Sequence, residues 1–299
     1  MDAALPASGA QPAAVTAHLR RAARRESPPW LHGEVARRMA ARLPFIKAPP
    51  RRVLDVWSFL GHGEALRAQC AGARIETWEP TTALAARCVP APSWWQPSRW
   101  IGLGATTRSD AAPPPAGQAD LVWSNMMLHW QADPLEHFRR WNTALAMDGF
   151  VMFSCFGPDT LKELRPLYRR LGWAAPAHDF IDMHDLGDAM VGAGFAEPVM
   201  DMERLTLNWA DAATLLSELR SLGGNAAAGR FAGLRTPRWQ GRLHQALAEA
   251  LAGPGGRLSL SFEIVYGHAF KPAPRVALAA ESRVDAETLR QMARSGHRR

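Results

Sequence analysis

Short apolar runs that close on an acidic or polar residue recur along this chain, and a stretch of helical character follows each. Arg52–Val56 carries Asp55, Arg74–Pro80 closes on Glu79, Ala119–Ser124 leads into Asn125, and Gly149–Phe156 is almost wholly apolar. Helices are predicted between them at Glu64–Cys70, Thr81–Cys88 and Pro134–Met147, the last with Leu135, Phe138, Trp141 and Leu145 on one face. Strands alternating with helices predict a mostly parallel sheet with helices on both faces. A third strand is expected at Trp100–Leu103, with "TTRSDAAPPPAGQ" as a loop. Further on, "GPDTLKELRPLYRRLG" reads as a helix capped by Asp159 or Thr160, and "DMHDLGDAMVGAGF" as another, closed by Gly194. Pro198–Trp209 is a sixth strand, and Arg257–Lys271 a seventh that can return antiparallel. The predicted class is α/β: a Rossmann-like sheet of seven strands, mostly parallel with one antiparallel strand, and a helical cap insertion.

The 299 residues fit one large domain. Residues 1–14 are Ala/Pro/Ser-rich and expected to be disordered. The domain is placed at 15–272, with cap elements at about 15–45 and 211–258, and a basic tail at 273–299. The net charge is +7, and lysine occurs only at Lys47, Lys162 and Lys271, so arginine carries the excess. Such a surface suits an acidic partner: nucleic acid, anionic lipid or an acidic protein. The three cysteines are widely spaced and suggest no disulfide framework, which fits a reducing cytoplasm. No apolar run is long enough to span a bilayer. No spacing of His and Cys suits a metal, and neither a GxSxG elbow nor a P-loop lysine motif occurs.

In an open α/β sheet the ligand lies outside the carboxyl ends of the strands. That singles out Asp55 with its turn to Gly61, then Glu79, then Ser124 and Asn125. An acid after the second strand can accept both hydroxyls of a ribose, and Glu79 follows Asp55 at close to the ~20-residue spacing of dinucleotide sites. Asp55 can contact a cationic amino group or cap its own turn; the residues leave both open.

"DLVWSNMMLHW", "FSCFGPDTLKELR", "FIDMHDLGDAMVGAGFAEPVMDMERLTLNW" and "FEIVYGHAFKP" together resemble the malonyl-[acyl-carrier protein] O-methyltransferases of biotin synthesis, from about Val15 to Pro272. The resemblance implies a class I methyltransferase sheet and S-adenosylmethionine (SAM) as cofactor, held by Asp55, Gly61, Glu79, Ser124 and Asn125. It implies methyl transfer to the free carboxylate of malonyl-acyl carrier protein, with that acidic protein as partner and no nucleic acid. A cytoplasmic monomer is expected. A carboxylate substrate needs a donor; Arg165 is the candidate, with His268 lining the same pocket. No catalytic residue is assigned, because an ionised acceptor needs no base. The chain departs from the family pattern in the cofactor turn "DVWSFLG": Trp57 and Phe59 stand where glycines are usual, and only Gly61 remains. The turn is therefore expected to have changed shape. Arg25 and Glu26 replace a Tyr-Asp pair, and Asp110 is the nearest acid for an adenine. These departures raise a second reading, a non-catalytic paralogue that binds the carrier protein without turning over SAM.

Overall fold

The structure is a computed structural model that describes residues 9–46, 49–88, 106–109, 114–231, 233–273 and 287. Helices α1 (Pro12–Ala22), α2 (Trp30–Ala40) and α3 (Leu43–Ile46) precede the sheet. The order then runs β1 (Arg52–Val56), α4 (Glu64–Gln69), β2 (Arg74–Glu79), α5 (Thr82–Cys88), β3 (Thr106–Ser109), β4 (Ala119–Ser124), α6 (Pro134–Ala144) and β5 (Leu145–Phe156). It ends α7 (Leu164–Arg170), α8 (Met183–Gly192), β6 (Ala196–Trp209), α9 (Ala212–Leu222), α10 (Pro237–Leu251) and β7 (Leu258–Phe270). The seven strands lie in the order β3-β2-β1-β4-β5-β7-β6. β1 to β5 pair in parallel, while β7 runs antiparallel to both β5 and β6.

Successive strand residues point to opposite faces, so each strand feeds two apolar layers. Leu54, Val56, Val122, Val151 and Phe153 join α1, α6 and α8 on one face. Val53, Leu121, Trp123, Phe150 and Met152 join α2, α4, α7, α9 and α10 on the other. The cap helices therefore rest on one layer of the sheet. Their starts are set by side chains that accept orphan N–H groups. Asp211 accepts from Thr214 N–H at 2.8 Å, and Thr236, followed by Pro237, accepts from Trp239 N–H at 3.2 Å. Asp182 starts α8 in the same way, accepting from His184 N–H at 2.8 Å.

Four sequence expectations change. The first helix begins at Pro12, with Ala10 bridged to Ala227, so residues 9–14 are ordered. Residues 1–8 and Trp100–Leu103 lie outside the described residues, and β3 is formed by Thr106–Ser109, which had been read as loop. The helix predicted across Gly157–Gly172 is shorter: α7 starts at Leu164, because Leu161 is left-handed (φ 57°) and the Thr160 hydroxyl donates to Glu263 O. Leu145 already belongs to β5 rather than to the preceding helix.

Candidate active site

The turn after β1 is held by backbone hydrogen bonds. Trp57 sits at φ 59°, the left-handed region that glycine enters freely. Its N–H donates to Trp78 O at 2.8 Å, and its carbonyl accepts from Gly61 N–H at 2.7 Å. A tryptophan thus holds a backbone conformation costing about 1–2 kcal/mol, fixed by hydrogen bonds at both ends, while Phe59 has no positive φ. The indole is 2 % exposed, in the layer with Leu60, Trp78, Leu84 and Leu19 of α1, and its Nε1 has no partner. Gly61 is required by close approach. A Cβ there would lie 3.0 Å from Trp57 O and 3.1 Å from Asn125 O.

Asp55, Glu79 and Ser124 close three neighbouring strands and are all buried. Both Asp55 oxygens, Glu79 Oε2 and Ser124 Oγ lack hydrogen-bond partners. Burial pushes Asp55 up to about 6, against the pull of Ser58 and Arg67. Burial likewise pushes Glu79 up to about 7, although its Oε1 accepts from Phe59 N–H at 2.8 Å and from the Cys88 thiol at 3.0 Å. Buried acceptors without partners are costly unless a ligand meets them. Their row across β1, β2 and β4 fits a ligand bearing an ammonium group and ribose hydroxyls. Trp57 follows two residues after Asp55, buried in the adjoining apolar layer.

Asn125 has another role. Its Nδ2 donates to His32 O and Gly61 O, both at 2.8 Å, and its Oδ1 accepts from Ser154 Oγ at 2.7 Å. It ties the turn to α2 and β5, with both amide N–H donors in use. Arg165 is paired with Asp179 at 2.7 Å and donates to His178 O, so it braces the 176–180 segment and does not line the cavity described below. His268 pairs with Met152 and Val199 and T-stacks on Phe270. Because β7 is antiparallel, its first half, around Phe262, reaches the ligand end of the sheet, and "YGHAF" reaches the opposite end. Asp110 lies outside the described residues.

A cavity of about 310 Å³ opens beside Trp130, beneath the cap. Its walls are largely apolar, with Leu164 of α7, Leu219 of α9, and Leu243 and Leu247 of α10 among them. Two buried histidines supply polarity. Phe156 N–H donates to His129 Nδ1 at 3.4 Å, which places the imidazole proton on Nε2. His178 Nε2–H donates to His129 O at 3.0 Å, leaving Nδ1 as a bare acceptor. His129 Nε2 and His178 Nδ1 are both buried and unpartnered, on two of the residues that border the cavity. Trp130 stacks on His18 at 4.6 Å. Sequence reading passed over His18, His32 and His178 because nothing in their spacing shows that the fold gathers them.

Burial lowers His18 to about 3 and His32 and His137 to about 4, and holds His129 well below its ordinary value. Above about pH 6.5 these rings are neutral in both states. Below it the unfolded chain takes up protons first, so stability falls as pH drops toward 4. Asp55 and Glu79 act in the opposite sense, keeping protons the unfolded chain has lost, but the histidines outnumber them. Tm is expected to fall steadily between pH 7 and pH 5 in a calorimetric series; a flat or rising Tm contradicts neutral burial of the histidines.

The strand order, with acids at the ends of β1 and β2, defines a class I SAM-dependent methyltransferase. A methyltransferase-domain family model matches residues 30–197. Among solved structures, the YcgJ protein of Bacillus subtilis aligns with TM-score 0.53 at 13 % identity, over 79 % of this chain and 98 % of its own, a likeness of fold alone. The malonyl-[acyl-carrier protein] O-methyltransferase of Gallionella capsiferriformans is 38 % identical over 252 residues, covering 82 % of this chain and 86 % of that protein. That of Laribacter hongkongensis is 38 % identical over 82 % of this chain and 84 % of its own. The chain belongs to the malonyl-[acyl-carrier protein] O-methyltransferase family. No helix among the described residues is long and apolar enough to cross a membrane.

Proposed function

We propose that this protein transfers a methyl group from SAM to the free carboxylate of malonyl-acyl carrier protein, the esterification that opens the pimeloyl branch of biotin synthesis. Kinship with relatives bearing that name supports the acceptor, and the unpartnered Asp55, Glu79 and Ser124 oxygens carry the cofactor reading. Asp55 would hold the ammonium end of the cofactor, and Glu79 and Ser124 its hydroxyls, while Gly61 and Asn125 brace the turn. SAM, when bound, supplies an electrophilic methyl group. The chain's own contribution is alignment and exclusion of water. The apolar cavity takes the acyl-thioester arm, with the buried, neutral His129 in its wall. No general base is required.

The burial of Trp57 and the Phe59 N–H bond to Glu79 favour a second reading, a carrier-protein binder without turnover. Calorimetric titration with SAM separates the two. Saturable micromolar binding supports the enzyme. No heat of binding, with carrier-protein affinity retained, establishes the non-catalytic form.

A further inference from the structure

We propose that the α9–α10 loop and the start of α10 form the docking surface for the acidic carrier protein, with its prosthetic arm entering the cavity from that side. This rests on the carrier-protein reading above. A second hollow of about 290 Å³, bordered by Arg230, Phe231 and Arg235, shares Tyr168, Pro176, Asn225 and Trp239 with the deep cavity, so the two are neighbours separated by those side chains. Its rim is basic without compensation. Between Glu218 and Glu249 the chain has no acidic residue but carries Arg220, Arg230, Arg235, Arg238 and Arg242. Among the described residues no ion pair involves Arg230, Arg235, Arg238 or Arg242.

Arg238 and Arg242 are both exposed and four residues apart on α10, where like charges repel. The Arg235 guanidinium is held 3.8 Å over the Phe231 ring and 4.2 Å over Trp239. Phe231 and Leu234 are themselves exposed, Leu234 by 98 %. An exposed apolar pair inside an unpaired arginine cluster, beside an apolar cavity, matches an anionic protein that delivers a long thin arm. The arm's phosphate would meet Arg230 and Arg235, and its acyl end the histidines beneath.

The test is fluorescence anisotropy with a labelled malonyl-loaded acyl carrier protein. Arg238→Glu with Arg242→Glu is expected to weaken binding by about tenfold or more. Arg51→Glu with Arg74→Glu, at the opposite end of the strands, should change it by less than about twofold. Circular dichroism confirms that both variants fold. Carrier binding by the unaltered protein that the α10 reversal leaves intact overturns the docking surface alone. No carrier binding by the unaltered protein removes the carrier reading itself. An arginine cluster that retains a single-stranded oligonucleotide and ignores the carrier also overturns the proposal.

Discussion

Replacing Trp57 and Phe59 together by glycine is expected to tighten SAM binding by about tenfold or more, equivalent to about 1.4 kcal/mol, in parallel calorimetric titrations. The backbone at Trp57 is already in the glycine conformation, so the substitution needs no rearrangement and relieves strain. What it removes is bulk from the turn that joins Asp55 to Gly61, beside the Glu79 carboxyl that accepts from Phe59 N–H. The same change should lower stability, because truncating a buried aromatic costs about 3–5 kcal/mol and relieved strain returns only about 1–2 kcal/mol. Opposite signs for affinity and stability are the signature. Unchanged affinity would show that the indole does not compete with the cofactor.

Trp130→Ala is expected to be the most damaging change at the acceptor side. The indole is 5 % exposed, stacked on His18 and tilted against His129 and His178 at 5.2 and 5.5 Å. Gly223, at φ 134° after α9, approaches it so closely that a Cβ there would overlap the ring. Loss of the indole should cost about 3–5 kcal/mol, lowering Tm by roughly 5–8 °C in a chain of this size. It would also free His18 and His178 to move, raising KM for the acceptor. Trp130→Phe keeps a ring and should recover much of the stability. An alanine variant within a degree or two of the parent in Tm would contradict the packing described here.

The sheet was legible because each parallel strand is a short apolar run with a polar terminus, a pattern set within a few residues. The start of α7 was not, since the Thr160 hydroxyl that helps stop the helix from starting earlier bonds to Glu263, far along the chain. His268 was misplaced for a similar reason: strand direction decides which end of "FEIVYGHAF" reaches the site, and the motif carries no direction. That Asp55, Glu79 and Ser124 lie buried toward the carboxyl ends of β1, β2 and β4 was legible from the strand pattern alone. Asn125 lay in the right place, but its partners His32 and Ser154 give it a bracing role that only the fold shows. The cavity was invisible because its walls come from the β4 end, α7, α9 and α10. At Trp57 residue type suggested that positive φ would be avoided, whereas hydrogen bonds to Trp78 and Gly61 hold the tryptophan in it.

The most direct test is turnover: the purified protein, SAM and malonyl-acyl carrier protein, followed by intact-protein mass spectrometry of the carrier. The account predicts conversion of the malonyl group to its monomethyl ester, dependent on SAM and lost in Asp55→Ala. A carrier left unmodified, by a folded protein that binds it, would contradict methyl transfer and leave the chain as a binding protein on a methyltransferase fold.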